Sequence, residues 1–183
     1  MINITDEKNL WKNVSRGKNP PKQVNVVVEI PRRSRNKIEY QERKGYFKLD
    51  RVIFSPFHYP GDYGFIPQTI SEDGDALDTL LLTEEPTFPG CVVEARPIGV
   101  LRMEDEKGID DKVLAAPIKD PRKADYRDIE SVNKHKRQEI AHFFSDYKEL
   151  EESKWAKVKN WLGAEKAYEQ IKRAMDKYDE EEK

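Results

Sequence analysis

Three aspartates, Asp73, Asp75 and Asp78, fall directly before an apolar stretch of this sequence. Two carboxylates about 4 Å apart repel each other by roughly 4 kcal/mol at the effective dielectric of a protein surface. A divalent cation relieves that repulsion, and carboxylates without thiols or imidazoles suit hard ions such as Mg²⁺, Mn²⁺ or Ca²⁺. The run therefore predicts a site for such ions, and an ordinary acidic turn before a strand is the alternative.

The backbone around these aspartates must bend if all three side chains are to meet. Residues 77–83 are predicted to form a buried strand, along which side chains alternate between two faces. Asp73 and Asp75 then share a face, whereas Asp78 has the opposite parity. Because glycine tolerates unusual dihedral angles, a bend at Gly74 would let the three carboxylates converge.

A second acidic cluster spans residues 104–112 and includes Asp105, Asp110 and Lys112. It lies at a predicted turn that a strand follows. One acidic turn is usually a solvated loop, but two such clusters at strand ends of one small domain indicate a shared metal site.

Composition narrows the classes of partner. Charged residues make up 37% of the chain, yet the formal net charge is only −2, so we expect no overall attraction to nucleic acid or to an anionic membrane. The basic loop at 32–37 is not part of a wider basic surface, so it does not by itself indicate nucleic-acid binding. The single cysteine, Cys91, excludes an intramolecular disulfide and a multi-cysteine zinc site. Without an apolar signal core or a bilayer-spanning run, a cytoplasmic protein is expected.

Hydrophobic periodicity predicts strands first and helices last. The predicted strands cover residues 24–30, 38–42, 46–53, 77–83, 91–103 and 113–118, with a bend at Pro97 and Gly99. Residues 54–67, rich in aromatics, glycine and proline, are predicted to form a rigid loop. Apolar spacing predicts two helices, around 140–150 and 164–178. This order indicates an α+β fold, a small antiparallel barrel or curled sheet flanked by helices.

The length suits a single domain over residues 1–183. Residues 1–23 are predicted to be an N-terminal extension that packs on the barrel through Leu10 and Trp11. Residues 179–183 are predicted to be a frayed tail.

Common catalytic motifs are missing from the sequence. It has no phosphate-binding G-x-x-x-x-G-K-[ST], no G-x-G-x-x-G, no H-E-x-x-H and no G-x-S-x-G, which argues against the common nucleotide-binding folds and serine hydrolases. The acidic clusters and the scattered Lys, Arg and Tyr side chains instead suit a polyanion delivered as a metal complex, above all a phosphoanhydride.

Longer stretches resemble one family. The chain resembles the family I soluble inorganic pyrophosphatases from about Trp11 to the last helix. The matching stretches are 27–31 (VVEIP), 34–40 (SRNKIEY), 50–51 (DR), 59–65 (YPGDYGF), 73–78 (DGDALD), 96–101 (RPIGVL) and 140–148 (IAHFFSDYK). The aspartate hexapeptide is the family signature, so agreement of all these segments in order is very improbable by chance.

The resemblance implies a five-stranded, OB-like antiparallel β-barrel with additional strands and two main flanking α-helices. It implies hydrolysis of pyrophosphate, bound as its magnesium complex, to two orthophosphates. Several Mg²⁺ ions would be bound per site, with Mn²⁺ or other divalent ions as possible replacements. No nucleic acid and no membrane is expected as a partner.

The resemblance also assigns residue roles. Asp75 is the expected general base that accepts a proton from the attacking water. The expected metal ligands are Asp73, Asp78, Asp105 and Asp110; the expected phosphate-binding groups are Lys37, Arg51, Tyr63, Tyr147 and Lys148; and the expected supporting groups are Glu29, Glu39, Tyr59 and Lys112.

The chain departs from the family pattern at two positions. Ala76 stands where the family usually has proline, and Thr79 where an aliphatic residue is common. Because proline restricts the unfolded chain, its loss predicts a looser turn around Asp75 and Asp78. The length resembles that of compact bacterial and archaeal members, so a homo-oligomer, specifically a hexamer, is expected by resemblance.

Two other functions stay open at this point. One is a non-catalytic barrel that binds an oligonucleotide or a structural divalent ion; against it, the aromatics lie among acids rather than along a basic groove. The other is hydrolysis of a larger phosphoanhydride, such as a nucleoside triphosphate or polyphosphate.

Overall fold

The computed structural model describes residues 9–182. In this range the strands are β1 (Val24–Ile30), β2 (Asn36–Gln41), β3 (Tyr46–Val52), β4 (Asp62–Ile66), β5 (Leu77–Leu81), β6 (Val92–Asp105), β7 (Gly108–Ile109), β8 (Lys112–Pro117) and β9 (Ala156–Gly163). The α-helices are α1 (Leu10–Asn13), α2 (Lys134–Asp146) and α3 (Ala164–Glu181), and 3-10 turns cover Pro121–Lys123 and Ile129–Ser131. The α+β class and the two main helices predicted from the sequence are confirmed.

Five strands close into a ring. β1 pairs with β4, β4 with β5, β5 with β8, β8 with β6, and β6 returns to β1. The five-stranded arrangement expected for the chain is therefore present. Its β5–β8 pairing is parallel, whereas the other pairings of the ring are antiparallel, so the expectation of an antiparallel ring was wrong for this one pair.

The apolar run in β1 is continuous because both of its faces are covered. Val24, Val26 and Val28 pack in a core cluster that includes Ile171 of α3. Val27 packs on the opposite side with Trp11. Full burial of such a side chain contributes roughly 1.5–3 kcal/mol, so this strand anchors the ring to the layers on both sides.

The long strand β6 changes register where the sequence predicted a bend. Its pairing with β8 shifts between Pro97 and Gly99. A Cβ on Gly99 would lie 2.7 Å from the Leu162 carbonyl oxygen of β9, so only glycine permits this close approach of the strands. The bend lets β6 contact β1, β8 and β9 along one length.

Three strands were missed in the sequence, of which the two-residue β7 lies in the predicted acidic turn at 104–112. β4 lies inside the stretch 54–67 that was predicted to be a loop, and β9 lies between the two long helices. β4 is formed by its pairing with β1 and β5, where a Cβ on Gly64 would lie 1.9 Å from the Val27 carbonyl oxygen. Its local composition favours a loop, so tertiary pairing overrides local propensity.

The two ends of the described chain pack together. Trp11 is buried, its Nε1 donates to the Thr69 carbonyl oxygen at 2.9 Å, and its ring meets Tyr178 edge-on at 5.1 Å. α3 remains helical through Glu181, and Arg16 pairs with Asp179 at 2.5 Å. Residues 179–181, predicted to be part of a frayed tail, belong to α3 in this structure. Residues 1–8 of the predicted extension and Lys183 lie outside the described residues.

Among the helices of residues 9–182, none combines the length and the apolar character that crossing a bilayer requires.

Candidate active site

All of the predicted site residues line one cavity of about 440 Å³. They are Glu29, Lys37, Glu39, Arg51, Tyr59, Tyr63, Asp73, Asp75, Asp78, Asp105, Asp110, Lys112, Tyr147 and Lys148. The strands β1 to β6 and β8, the loops that carry Tyr59, Asp73, Asp75 and Asp110, and the residues just after α2 supply these side chains. Residues far apart in the sequence thus meet around one cavity.

The acidic loop, defined here as residues 71–76, carries two of the carboxylates. Gly74 has φ +93, in the left-handed region that glycine enters without strain. Asp73 Oδ1 accepts hydrogen bonds from the Ser71 hydroxyl at 2.6 Å and from the Asp75 N–H at 3.1 Å. The predicted bend at Gly74 is confirmed, and Asp73, Asp75 and Asp78 all face the cavity.

A buried lysine lies between two aspartates at the start of β5 and β8. Lys112 Nζ donates to Asp78 Oδ2 at 2.5 Å and to Asp110 Oδ1. The parallel β5–β8 register, with Thr79 opposite Val113, places Asp78 beside Lys112. Although burial of Lys112 lowers its pKa, attraction to Asp78 and Asp110 is stronger in sum and raises the pKa above its usual range.

The donor chemistry fits a hard cation. The residues that line the cavity include several carboxylates but no cysteine or histidine. Oxygen ligands of this kind suit Mg²⁺ and related ions. Over residues 9–182, no three His, Cys, Asp or Glu side chains stand in a metal-binding cluster. The Lys112 ammonium supplies the positive charge between Asp78 and Asp110 in this arrangement.

Asp75 lines the cavity from the exposed acidic loop. Partial loss of hydration raises the pKa of its carboxyl group, and the charges of Asp73 and Asp78 raise it further. A carboxylate whose pKa is raised accepts a proton more readily, which suits a general base.

Cations occupy the other wall of the cavity, each paired with a carboxylate. Lys148 Nζ donates to Asp105 Oδ2 at 2.7 Å, and both residues are buried. Burial raises the pKa of Asp105, but the hydrogen bond and charge of Lys148 outweigh it and keep that pKa below its usual range. Lys37 Nζ contacts Glu39 and lies 3.7 Å from Asp50.

Two carboxylates hold Arg51 in place. Its Nε contacts Glu151 Oε2 at 2.8 Å, and its Nη1 contacts Asp50. Glu151 also contacts Lys154 at 3.0 Å, and its side chain is only 3% exposed. A buried carboxylate on one edge of a guanidinium leaves the other N–H donors directed elsewhere, so Arg51 can still bind an oxyanion in the cavity.

Three buried tyrosines complete the wall. Burial is the main cause that raises the pKa of Tyr59, Tyr63 and Tyr147 above the usual phenol value. Their hydroxyls therefore remain protonated donors at neutral pH. The Phe143 ring of α2 packs at 4.8 Å from Tyr59 and at 5.2 Å from Tyr147, so α2 contributes to holding both tyrosines.

Residues 26–179 match the family model for inorganic pyrophosphatase. The inorganic pyrophosphatase of Aquifex pyrophilus is 45% identical over 170 residues, covering 92% of this chain and 96% of that protein. The chain belongs to the family I inorganic pyrophosphatases. It is therefore a hydrolase of the pyrophosphate phosphoanhydride, and the alternative of a non-catalytic binding module is rejected.

Solved structures of the family share the fold. The crystal structure of the inorganic pyrophosphatase from Thermus thermophilus is similar with a TM-score of 0.90 at 46% identity, covering 93% of this chain and 99% of that one. The inorganic pyrophosphatase from Helicobacter pylori gives a TM-score of 0.87 at 38% identity, covering 91% and 99%.

The pyrophosphatase site also contains carboxylates that the sequence reasoning missed. Glu42 and Asp50 line the cavity, and Glu151 supports Arg51 from below the surface. Asp50 is adjacent to Arg51 in β3 and could have been found from that neighbour. For Glu42 and Glu151 nothing in the local sequence separates them from the nearby glutamates.

Glu29 is a buried acid within an apolar strand. Its Oε1 accepts the Tyr40 N–H at 2.6 Å, and burial raises the pKa of its carboxyl group well above the usual value. The side chain therefore faces the cavity, and its cost of burial is partly offset by the hydrogen bond from β2.

Proposed function

We propose that this family I pyrophosphatase hydrolyses pyrophosphate with Mg²⁺ as its activator and Asp75 as the general base. The observation that carries this proposal is the cavity that joins both acidic clusters to several basic side chains and tyrosine phenols. Acids in such a site hold cations, and basic and phenolic groups hold phosphate oxygens.

Asp73, Asp78, Asp105 and Asp110 would hold the Mg²⁺ ions. When bound, these ions supply positive charge for the pyrophosphate oxygens and lower the pKa of water in the cavity. Mn²⁺ accepts the same oxygen donors and is expected to support the reaction as well. Lys112 pairs with both Asp78 and Asp110 and so holds the two side chains in place before the ions arrive.

The proton acceptor in this proposal is the Asp75 carboxylate. Water attacks one phosphorus, the bridging P–O bond breaks, and two orthophosphates result. Asp75 takes the proton from the water as the new P–O bond forms. General base catalysis of this kind typically contributes about 10²–10⁴-fold in rate.

Pyrophosphate is held by Lys37, Arg51, Tyr63, Tyr147 and Lys148. The buried phenols donate hydrogen bonds, and the cations neutralise oxyanions that lie away from the metal ligands. Glu39 keeps Lys37 in position, and Asp105 does the same for Lys148. Glu29 and Tyr59 support the inner end of the cavity.

The assay that tests the proposal measures phosphate release from pyrophosphate with Mg²⁺, Mn²⁺, Ca²⁺ or a chelator. We expect turnover with Mg²⁺ and none above the blank with the chelator. The same panel includes a nucleoside triphosphate and polyphosphate, the larger phosphoanhydrides. Faster turnover of either one than of pyrophosphate would reject the proposed substrate preference.

We also propose a cytoplasmic homo-oligomer, specifically a hexamer. The length of the compact family members and the exposed side chains of Phe54, Phe88, Leu150 and Trp155 support an assembly. Light scattering coupled to size-exclusion chromatography tests it, and a monomeric mass at micromolar concentration would reject it. Fractionation of cells tests the compartment.

A further inference from the structure

The residue after the candidate base makes a hydrogen bond that the usual family residue does not permit. The Ala76 N–H donates to Glu42 Oε1 at 3.2 Å. Proline has no N–H, so this bond exists only because another residue stands at position 76.

Glu42 reaches the acidic loop from a well-anchored element. It follows β2 directly, at the turn to β3. Its own carbonyl oxygen accepts from Asn9 Nδ2 at 2.5 Å, and two residues earlier the Tyr40 N–H donates to Glu29. The carboxylate that holds Ala76 thus stands on backbone fixed from two directions.

The other hydrogen bonds around Asp75 are made within the loop. The Asp75 N–H donates to Asp73 Oδ1 at 3.1 Å, and the Asp75 carbonyl accepts from the Ser71 N–H at 2.8 Å. Such bonds set the shape of the loop but do not connect it to another element of the fold. The Glu42–Ala76 bond makes such a connection, because it joins the peptide after Asp75 to the β2–β3 hairpin.

We propose that Glu42 is a positioning residue for Asp75. The hydrogen bond between Glu42 and Ala76 holds the turn in place. A proline at position 76 would restrict the same turn through its ring. This inference rests on the proposed general-base role of Asp75. Loss of the bond leaves the phosphate-binding groups untouched and loosens the base, so it lowers kcat and leaves KM for pyrophosphate nearly unchanged.

Four variants test the inference by steady-state phosphate release with saturating Mg²⁺: Glu42→Ala, Glu42→Gln, Ala76→Pro, and Glu42→Ala with Ala76→Pro. We expect Glu42→Ala to lower kcat about tenfold, since a displacement of about 1 Å can cost about a hundredfold. Glu42→Gln retains an acceptor oxygen and keeps most of the kcat. In the Ala76→Pro background, Glu42→Ala has little further effect because proline restricts the turn without Glu42.

Three outcomes would overturn the role of Glu42. They are an unchanged kcat in Glu42→Ala, an equal loss in Glu42→Gln, and an equal loss in both residue-76 backgrounds. Circular dichroism checks that each variant folds, and the Glu42→Gln comparison stands if Ala76→Pro does not. Asp75→Asn in the same series separates this inference from the proposed function: its near-normal turnover would remove the base role itself.

Discussion

Asp73 and Asp75 stand on an exposed loop, whereas Asp78 and Asp110 flank the buried Lys112 where β5 and β8 begin. The Asp73 carboxylate is held by hydrogen bonds within the loop, from the Ser71 hydroxyl and the Asp75 N–H. The strand carboxylates are held by a cation that belongs to the closed ring itself.

This difference indicates that the carboxylates of one acidic site divide between stabilising the fold and serving the reaction. Carboxylates at β5 and β8 contribute to the fold, because Lys112 is buried and requires their charge. Carboxylates on the loop contribute little to the core and are free to serve chemistry. We therefore expect substitutions on the loop to reduce rate without reducing stability, and substitutions at the strands to reduce both.

The largest expected effect is on turnover in Asp75→Asn. The amide cannot accept the proton, so kcat falls by about 10³-fold, within the usual range for loss of a general base. The denaturation midpoint and the Mg²⁺ affinity measured by calorimetry stay near those of the unsubstituted chain. Asp73→Asn is the matched control, for which Mg²⁺ affinity falls; an Asp75→Asn variant with near-normal turnover contradicts the proposal.

A smaller effect, on stability, is expected from Lys112→Met. The variant leaves Asp78 and Asp110 without their shared cation. We expect a loss of about 2 kcal/mol in the free energy of unfolding, less than for a fully buried pair because Asp78 is partly solvated. Urea titration measures it.

Mg²⁺ should reduce the difference in the free energy of unfolding between Lys112→Met and the unsubstituted chain, since the ion replaces the missing positive charge. Lys107→Met, at an exposed lysine of the same acidic turn, is the control and should change stability little. Equal losses in both variants would show that the buried position of Lys112 does not matter.

The smallest expected effect concerns Glu151, which supports Arg51 on the cationic wall. Burial raises the pKa of Glu151, but hydrogen bonds from Arg51 and Lys154 outweigh it and lower that pKa. A lowered folded-state pKa means that the ion pair stabilises the fold above the unfolded-state pKa. That stabilisation is lost as the pH falls through the folded-state pKa.

Glu151→Gln should therefore reduce the free energy of unfolding by about 1–2 kcal/mol at neutral pH, and by less in acid. Urea titrations at several pH values measure the difference. Glu149→Gln, at an exposed neighbour in the same turn, serves as the control and should change the free energy of unfolding little. A constant difference at all pH values would contradict the ion-pair explanation.

Much of the architecture could be predicted from local patterns. Strands β1, β2, β3, β5, β6 and β8 and helix α3 lie within a few residues of predicted segments, and α2 overlaps its predicted segment but begins and ends earlier in the chain. β4, β7 and β9 could not be predicted in this way. Gly64 in β4 signals a turn locally, and only the pairing with β1 and β5 makes this segment a strand.

The sequence by itself determined the chemical character of the site. Carboxylates spaced around Gly74, without neighbouring thiols, select hard cations whatever the fold, because ligand preference is a property of the side chains. The tertiary structure decided which charges meet. Lys112 pairs with Asp78 and Asp110, Glu151 pairs with Arg51, and Glu42 accepts a hydrogen bond from Ala76. These contacts depend on long-range strand pairing and turns, which local periodicity does not encode.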